Sequence, residues 1–194
     1  MTPPITPDAL PHLPTGFPLL DHWLQGGYPR GAVTILEGHP HAIKAVAAYA
    51  RAYAHRHGVV VGYLHALDFS ADPLFPLQLW SIATALLFQS VDLLVMEALT
   101  PTQLAAMPTT LPGLLTRRNR TLLLTLATPT RARAALTLRF RPTGWLYRQR
   151  QLYGYRAWVS WRTPRFNGSP RGTTIEIPVA PPWVDKEPPS PRTP

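Results

Sequence analysis

The sequence LEGHPHAIKAVAAY contains a glycine and a lysine at a spacing that could bind phosphate. In a phosphate-binding loop of the form G-x-x-x-x-G-K-[ST], backbone amides wrap the phosphates, the lysine neutralises their charge and the hydroxyl holds magnesium. Gly38 and Lys44 fit this pattern, but Ile43 replaces the second glycine and Ala45 replaces the hydroxyl residue. A β-branched side chain resists the backbone angles of that glycine, and alanine cannot coordinate a metal. We therefore expect a degenerate loop that retains only Gly38 and Lys44 and binds no cofactor.

Arginine is concentrated in the second half of the chain, where acidic residues are missing. The chain has a formal net charge of +9, yet no aspartate or glutamate lies between Ala98 and Ile175, a segment with thirteen arginines. Such a positive field favours a polyanionic partner, most often nucleic acid, although an acidic protein partner or a mere preference for arginine codons stays open. The arginines predicted to contact DNA are Arg117, Arg118, Arg120, Arg131, Arg133, Arg139, Arg141, Arg148 and Arg150.

Aromatic residues are interspersed among these arginines. The segment RFRPTGWLYRQRQLYGYRAWVSWRTPRF contains Trp145, Tyr147, Trp158 and Trp161. Guanidinium groups that contact the backbone and rings that stack on bases suit a single-stranded nucleic acid. The same rings could instead pack an antiparallel sheet and leave the arginines to solvent. Single-stranded DNA is therefore the favoured partner, and both roles of the rings stay open.

The elements that must position these residues alternate between β-rich apolar runs and amphipathic helical segments. From Ala32 to Thr128, strands that are apolar on both faces predict a mostly parallel sheet flanked by helices. After Thr128, segments such as ALTLRFRP alternate apolar and polar residues, which is typical of antiparallel strands with one solvated face. The sequence therefore predicts an α/β fold in which a mostly parallel sheet carries a C-terminal antiparallel extension.

Proline-rich segments flank this region at both ends. Residues 1–14 and 179–194 lack periodic apolar positions and are predicted to be tails around one core domain, residues 15–178. No apolar run is long enough to span a bilayer and no signal sequence is recognisable, so we expect a cytoplasmic protein with no membrane partner. The histidines lack metal-ligand spacing and the chain has no cysteine, so we expect no metal site.

The run LPTGFPLLDHWLQGGYPRGAVTILEG resembles the opening of the ATPase core of the RecA family, including its KaiC-like and recombinase relatives. The residues that carry the resemblance are Thr15, Gly16, Leu20, Asp21, Gly26, Gly27, Pro29, Arg30 and Gly31. The string VDLLVMEALTP is similar to the strand and loop of bacterial RecA that carry the Walker B acid. The likeness covers about residues 13–178 and implies a RecA-like P-loop core. It also places DNA-binding loops after the third and fourth core strands, and the second loop contains Arg131 and Arg133.

The family's catalytic residues are missing at the corresponding positions. Met96 takes the place of the Walker B aspartate, and Glu97 follows one position later. Because successive strand residues point to opposite faces, we expect Glu97 to point away from the site. The place of the catalytic glutamate is near Leu67, one step before Asp68. Since phosphoryl transfer needs the phosphate cradle, the metal ligands and the base together, the sequence predicts a pseudo-ATPase and no enzyme activity.

The resemblance therefore implies a catalytically inactive RecA-like protein that acts in DNA recombination or repair and binds DNA, a recombinase or polymerase partner, or both. Degenerate relatives of this kind include recombinase paralogues and ImuA-like components of translesion synthesis. One alternative is a protein-interaction or regulatory module without DNA binding, comparable to RecA-like cell-division inhibitors. Another is an unorthodox ATPase that uses Lys44, Asp68 and Glu97.

Overall fold

The strands and helices follow the order expected from the alternating sequence pattern. The computed structural model describes residues 12–66, 75–129, 134–163 and 171–178. The strands are β1 (His12–Leu13), β2 (Tyr28–Pro29), β3 (Val33–Gly38), β4 (Val61–His65), β5 (Leu93–Glu97), β6 (Thr121–Leu126), β7 (Leu136–Arg148), β8 (Gln151–Arg162) and β9 (Arg171–Pro178). The helices are α1 (Pro18–Trp23), α2 (Pro40–Arg56), α3 (Phe75–Gln89), α4 (Pro101–Ala105) and α5 (Leu111–Arg118). Strands β3 to β9 form one sheet, and β1 pairs with β2 in a separate ribbon.

The seven-stranded sheet joins a parallel part to an antiparallel part. Its strand order is β4-β5-β6-β3-β7-β8-β9, and each neighbouring pair from β4 to β7 is parallel. Strands β8 and β9 continue the sheet in antiparallel pairing. Strand β7 belongs to both parts, because its first residues pair with β3 while it also pairs along its length with β8. This arrangement confirms the predicted α/β fold with its C-terminal antiparallel extension.

Two apolar layers, one on each face of the sheet, bury the central parallel strands. Helices α1 and α2 cover one face, called here the α2 face. Helices α3, α4 and α5 cover the other, called here the α3 face. Successive strand residues enter opposite layers, as Ile35 on the α3 face and Leu36 on the α2 face do. Burial on both faces explains why these strands are continuous apolar runs in the sequence.

The extension, strands β7 to β9, is packed on the α2 face only. Its inward side chains, among them Tyr155, Val159 and Ile177, are buried in the same layer as α2. Side chains that alternate with them, such as Arg156 and Trp158, are exposed on the opposite side. The extension is therefore a half-solvated sheet, as its alternating sequence predicts.

Regular structure begins before the predicted start of the core domain. His12–Leu13 pair with Tyr28–Pro29, and the side chain of Leu13 is buried. Residues 12 and 13, predicted to be part of a tail, therefore belong to the folded region. Residues 1–11 and 179–194 lie outside the described part of the chain. Within the described segments, no helix has the length and apolar character needed to cross a membrane.

The phosphate-loop position and a candidate nucleic-acid interface

A single residue, His39, connects β3 to α2 at the position of the predicted phosphate loop. Strand β3 ends at Gly38, and α2 begins at Pro40. The backbone N–H groups of Ala42 and Ile43 donate to the His39 carbonyl at 2.9 and 3.1 Å. These amides are used inside the first helical turn, and proline has no amide hydrogen to offer. These two amides are therefore already engaged, whereas a phosphate cradle needs unpaired amides that point at one centre.

Side chains from the core occupy the inner side of this connection. Ile43 is buried in the layer between α2 and the sheet, whereas Lys44 is exposed. The Tyr155 hydroxyl donates to the His41 carbonyl at 2.6 Å and so ties the extension to the first turn of α2. Burial raises the pKa of Tyr155 to about 12, so this hydroxyl remains a donor at neutral pH. The core therefore fills the inner side of the connection, and Tyr155 anchors the extension to the first turn of α2.

Gly38 has a structural role in this connection. Its φ is +126°, and a Cβ added there would lie 2.2 Å from the carbonyl oxygen of Phe140 on β7. Only glycine permits both this backbone angle and this close approach of two strands. The glycine that begins the phosphate-loop pattern is thus required for the junction between β3 and the extension.

Glu97 points to the α2 face, where it approaches Arg51 in the second half of α2. The expectation that it points away from the phosphate-loop position stays a prediction. Met96, by contrast, packs in the layer on the α3 face. The buried Glu97 carboxylate accepts a hydrogen bond from the Tyr63 hydroxyl at 3.2 Å and lies 3.8 Å from the Arg51 guanidinium of α2. That guanidinium also lies 4.1 Å from the centroid of the Tyr63 ring. Among the described residues, no group of three or more histidines, aspartates or glutamates is placed to hold a metal.

Seven of the nine arginines predicted to contact DNA are described, and they fall into two groups at opposite ends of the parallel strands. The group at the N-terminal ends of these strands consists of Arg117, Arg118 and Arg120. The group at and beyond their C-terminal ends consists of Arg139, Arg141, Arg148 and Arg150. A six-residue strand such as β6 separates the groups by roughly 17 Å. The seven described arginines therefore do not form one continuous surface.

Four residues singled out in the sequence lie outside the described part of the chain. They are Leu67, Asp68, Arg131 and Arg133. The predicted second DNA-binding loop and the predicted place of a catalytic base therefore stay predictions.

Two of the remaining arginines are held by carboxylates. Arg139 contacts the buried Glu37 carboxylate through Nη2 at 2.7 Å and Nε at 2.8 Å. Arg120 forms an ion pair with Asp92. In contrast, Arg141, Arg148 and Arg150 are exposed and form no ion pair with any residue that the structure describes. In the group at and beyond the C-terminal ends, the charge of these three arginines is therefore available to a partner, and in the other group Arg117 and Arg118 are exposed as well.

The open side of the extension, called here the outer sheet face, carries a tryptophan among arginines. Its residues are Arg139, Arg141, Arg156, Trp158, Ser160, Arg162, Thr174 and Glu176. Trp158 lies opposite Arg141 on β7 and opposite Thr174 on β9. Its indole covers Gly172, where an added Cβ would lie 2.2 Å from the ring, and 41% of the residue is still exposed. The outer sheet face therefore offers an aromatic ring beside a cation.

The hairpin of β7 and β8 extends beyond the rest of the sheet. Gly154 pairs with Leu146 of β7 and with Pro178 of β9, and the residues from 147 to 153, called here the hairpin tip, lie beyond that row of pairs. Trp145, which precedes the tip, and Tyr147 in the tip are 59% and 67% exposed. The turn is made by Gln149 and Arg150, whose φ angles are 49° and 64°. A two-residue turn with both φ angles positive has the geometry of a type I′ turn, usually filled by Asn-Gly.

The structure divides the aromatic residues between the two roles left open by the sequence. Trp161 packs against the core, and its ring lies 5.9 Å from that of Trp23. Trp145, Tyr147 and Trp158 are exposed and available to a partner. Packing against the core therefore holds for Trp161, and stacking on bases stays a prediction for the other three rings.

Two arginines of the outer sheet face were missed by the sequence interpretation. Arg156 and Arg162 share the face of Trp158, and Arg156 pairs with Glu176 at 2.9 Å. The alternation in YRAWVSWR is the signal that could have identified them, because every second residue of a strand lies on the same face.

The arrangement of these elements is that of a RecA-like core. The sequence matches no protein-family model and no curated protein. Solved structures with a similar backbone include the crystal structure of the RadB recombinase, with a TM-score of 0.60 over 86% of this chain and 96% of that chain. The two sequences are 13% identical. The comparison shows the RecA-like fold that the sequence resemblance implied.

Proposed function

We propose that this chain is a catalytically inactive RecA-like protein that acts in DNA recombination or repair by binding single-stranded DNA. The observation that supports DNA binding most directly is the outer sheet face, where exposed Trp158 lies opposite the exposed and unpaired Arg141. The hairpin tip adds Arg148 and Arg150 beside two exposed aromatic rings. The binding site thus lies on the extension.

The chemistry of this surface suits a single strand better than a duplex. A single strand offers unstacked bases, so a ring such as Trp158 can stack on one base while Arg141 contacts a neighbouring phosphate. A duplex buries its base faces, so an exposed ring on a flat sheet would gain no stacking partner. A solvated sheet with an exposed ring is also a stacking platform that protein domains use for single-stranded RNA.

The absence of ATPase activity is the second part of the proposal. It is supported by the one-residue connection between β3 and α2, in which the amides of Ala42 and Ile43 donate to His39. It is supported also by Gly38, whose conformation serves the close approach to Phe140. Phosphate binding would require this first helical turn to unwind and these hydrogen bonds to break.

DNA binding is tested by fluorescence anisotropy of a labelled thymidine oligonucleotide over a range of salt concentrations. Arg141→Ala should reduce the slope of log K against log salt by about 0.7, because one phosphate contact is lost. Trp158→Ala should weaken binding about tenfold at every salt concentration without changing the slope, since stacking releases no counterion.

Arg117→Ala provides the matched control, because it removes an exposed arginine from the other end of the parallel strands. It should leave both affinity and slope unchanged. Failure of the unaltered protein to bind the oligonucleotide at low salt, or an equal loss in all three variants, would refute the assignment of the site.

The proposed inactivity is tested separately with magnesium and ATP. We expect no ATP hydrolysis and no thermal shift, and the same result for Lys44→Ala. Hydrolysis that is lost in Lys44→Ala would overturn this part of the proposal and favour the unorthodox ATPase, without bearing on the DNA site.

A further inference from the structure

A shallow apolar groove lies on the outside of the α3 face, between α3 and α5. It consists of two adjoining cavities of about 510 and 520 Å³, which share Phe88, Thr110 and Leu114 as walls. The groove follows α3 from Leu77 to Phe88, which is roughly 16 Å along the helix axis. Its length therefore matches about three turns of another helix.

The walls of this groove are unusually apolar for a protein surface. Leu77 is 63% exposed and Phe88 is 47% exposed, and α3 contains no charged residue. An exposed apolar patch of this kind is a characteristic of surfaces that bind a partner. A small molecule is a poor occupant, because the groove is open and lacks the convergent polar groups that orient a ligand.

Positive charge is confined to one end of the groove. Arg117 and Arg118 line the cavity beside Phe88 and are the only charged residues among the described groove walls. The Arg118 guanidinium lies 5.6 Å from the centroid of the Phe88 ring, a cation–π distance. Arg117 is exposed and forms no ion pair with any described residue. This end of the groove therefore attracts carboxylates.

We propose that the groove binds an amphipathic helix of a partner protein, whose apolar stripe packs along α3 and whose carboxylates contact Arg117 and Arg118. Apolar side chains at intervals of three and four residues would fill the groove between Leu77 and Phe88, as in other helix-in-groove complexes. If the carboxylates stand at the C-terminal end of that helix, the negative end of its dipole also faces the arginines.

Neither DNA nor a second copy of the chain fits this groove as well. DNA would place phosphates against apolar walls that offer only two arginines. A symmetric contact between two grooves would bring together four arginines without a carboxylate among the described walls of either groove to neutralise them.

The probe for this proposal is a labelled synthetic helix of about 14 residues with a stripe of leucines and two glutamates at its C-terminal end. A matched peptide has lysines in place of the glutamates. The full chain should bind the glutamate peptide in fluorescence anisotropy, and it should bind the lysine peptide about tenfold more weakly.

Variants of the groove show where the peptide binds, and they test separately its apolar packing and its attraction to the arginines. Combined Leu77→Ser and Phe88→Ser should weaken the glutamate peptide about tenfold, whereas Ile82→Ser, an exposed residue of α3 outside the groove, should have no effect. Combined Arg117→Glu and Arg118→Glu should reverse the preference so that the lysine peptide binds more tightly. All five positions are exposed enough to be replaced without loss of the fold, which circular dichroism would verify.

Several outcomes would overturn the proposal. These are equal binding of the two peptides, no binding of either, displacement of the peptide by an oligonucleotide, or dimerisation that is abolished by the Leu77 and Phe88 substitutions. The substituted residues do not belong to the outer sheet face, so DNA binding should persist in every variant and the two proposals can fail independently.

Discussion

The parallel strands and the antiparallel extension belong to one sheet but differ in how far their polar side chains are exposed to solvent. In the parallel part both faces are covered, and the acid at the end of β5 is enclosed by Tyr63 and Arg51. In the extension one face is open, and Arg141 and Trp158 are exposed side by side. The first turn of α2 and the acid of β5 are engaged internally, while the exposed arginines and the tryptophan that we propose to bind DNA lie in the extension. The DNA-binding proposal therefore rests on the extension.

The two parts meet at the junction of β3 with β7, and the largest effect is expected there. Gly38→Ala should lower the free energy of unfolding by about 3 kcal/mol or more, because the new Cβ would overlap the Phe140 carbonyl at a positive φ. Gly144→Ala, where an added Cβ meets nothing within 4 Å, should change it by less than about 0.5 kcal/mol. Urea denaturation measures both. If both variants lose less than about 0.5 kcal/mol of unfolding free energy, the close approach of β3 and β7 does not require a glycine at position 38.

A second test compares an ion pair with a buried carboxylate, Glu37, with an ion pair whose carboxylate, Glu176, is exposed. Glu37→Gln leaves Arg139 beside an uncharged group in a site where Glu37 is 2% exposed. Since Arg139 is 34% exposed, solvent limits the expected loss of unfolding free energy to about 2 kcal/mol. Glu176→Gln breaks an ion pair whose partners are both more than half exposed. Because exposed ion pairs contribute little, urea denaturation should show almost no change for this variant. If the two variants lost similar amounts of unfolding free energy, burial of Glu37 would not make its ion pair more stabilising than the exposed one.

The sequence predicts the layers of the fold well because the local spacing of apolar residues shows which faces of a strand are buried. Runs such as TLLLTL in β6 are apolar at nearly every position, and they are buried on both faces. The strand ALTLRFRP alternates, and its Leu138 and Phe140 enter the core as expected. Periodicity alone is enough for such assignments, since it depends only on which faces are covered.

The site is harder to predict because it depends on contacts between distant parts of the chain. Glu37 and Arg139 are 102 residues apart, and nothing local shows that this arginine is already paired. The role of Gly38 likewise depends on Phe140, so the glycine was attributed to a phosphate loop. The surroundings of Glu97 are set by distant residues as well: its alternation with Met96 was expected correctly, but no local pattern shows its contacts with Tyr63 and Arg51.

A third test concerns the hydroxyl that ties the extension to α2. Tyr155→Phe should lower the free energy of unfolding by about 1 kcal/mol near neutral pH, because the His41 carbonyl loses its 2.6 Å hydrogen bond. The matched control is Tyr153→Phe, an exposed tyrosine two positions earlier on β8, for which no loss is expected. Thermal or urea unfolding gives the comparison.

The same pair of variants gives a pH signature. The unfolded tyrosine ionises near its ordinary pKa of 10, whereas burial keeps Tyr155 protonated in the folded chain to about 12. Because the folded state holds the proton longer, stability falls as the pH rises through this window. Tyr155→Phe should remove part of this alkaline loss, and Tyr153→Phe should not. An unchanged alkaline slope in Tyr155→Phe would show that this hydroxyl is not protected by burial.

The smallest expected effect on stability lies at the hairpin tip, where stability and binding should move in opposite directions. Arg150 has a φ of 64°, which costs a residue with a Cβ but not glycine. Arg150→Gly should therefore raise the free energy of unfolding by about 0.5 kcal/mol, a modest gain because the tip lies beyond the rest of the sheet. The same change should reduce the salt dependence of oligonucleotide binding by about 0.7 in slope if Arg150 contacts a phosphate. Arg148→Gly is the control, because Arg148 is the last residue of β7 and glycine weakens a strand, so it should lose both stability and binding. A gain of stability with unchanged salt dependence in Arg150→Gly would place the tip outside the DNA interface and confine that interface to the outer sheet face.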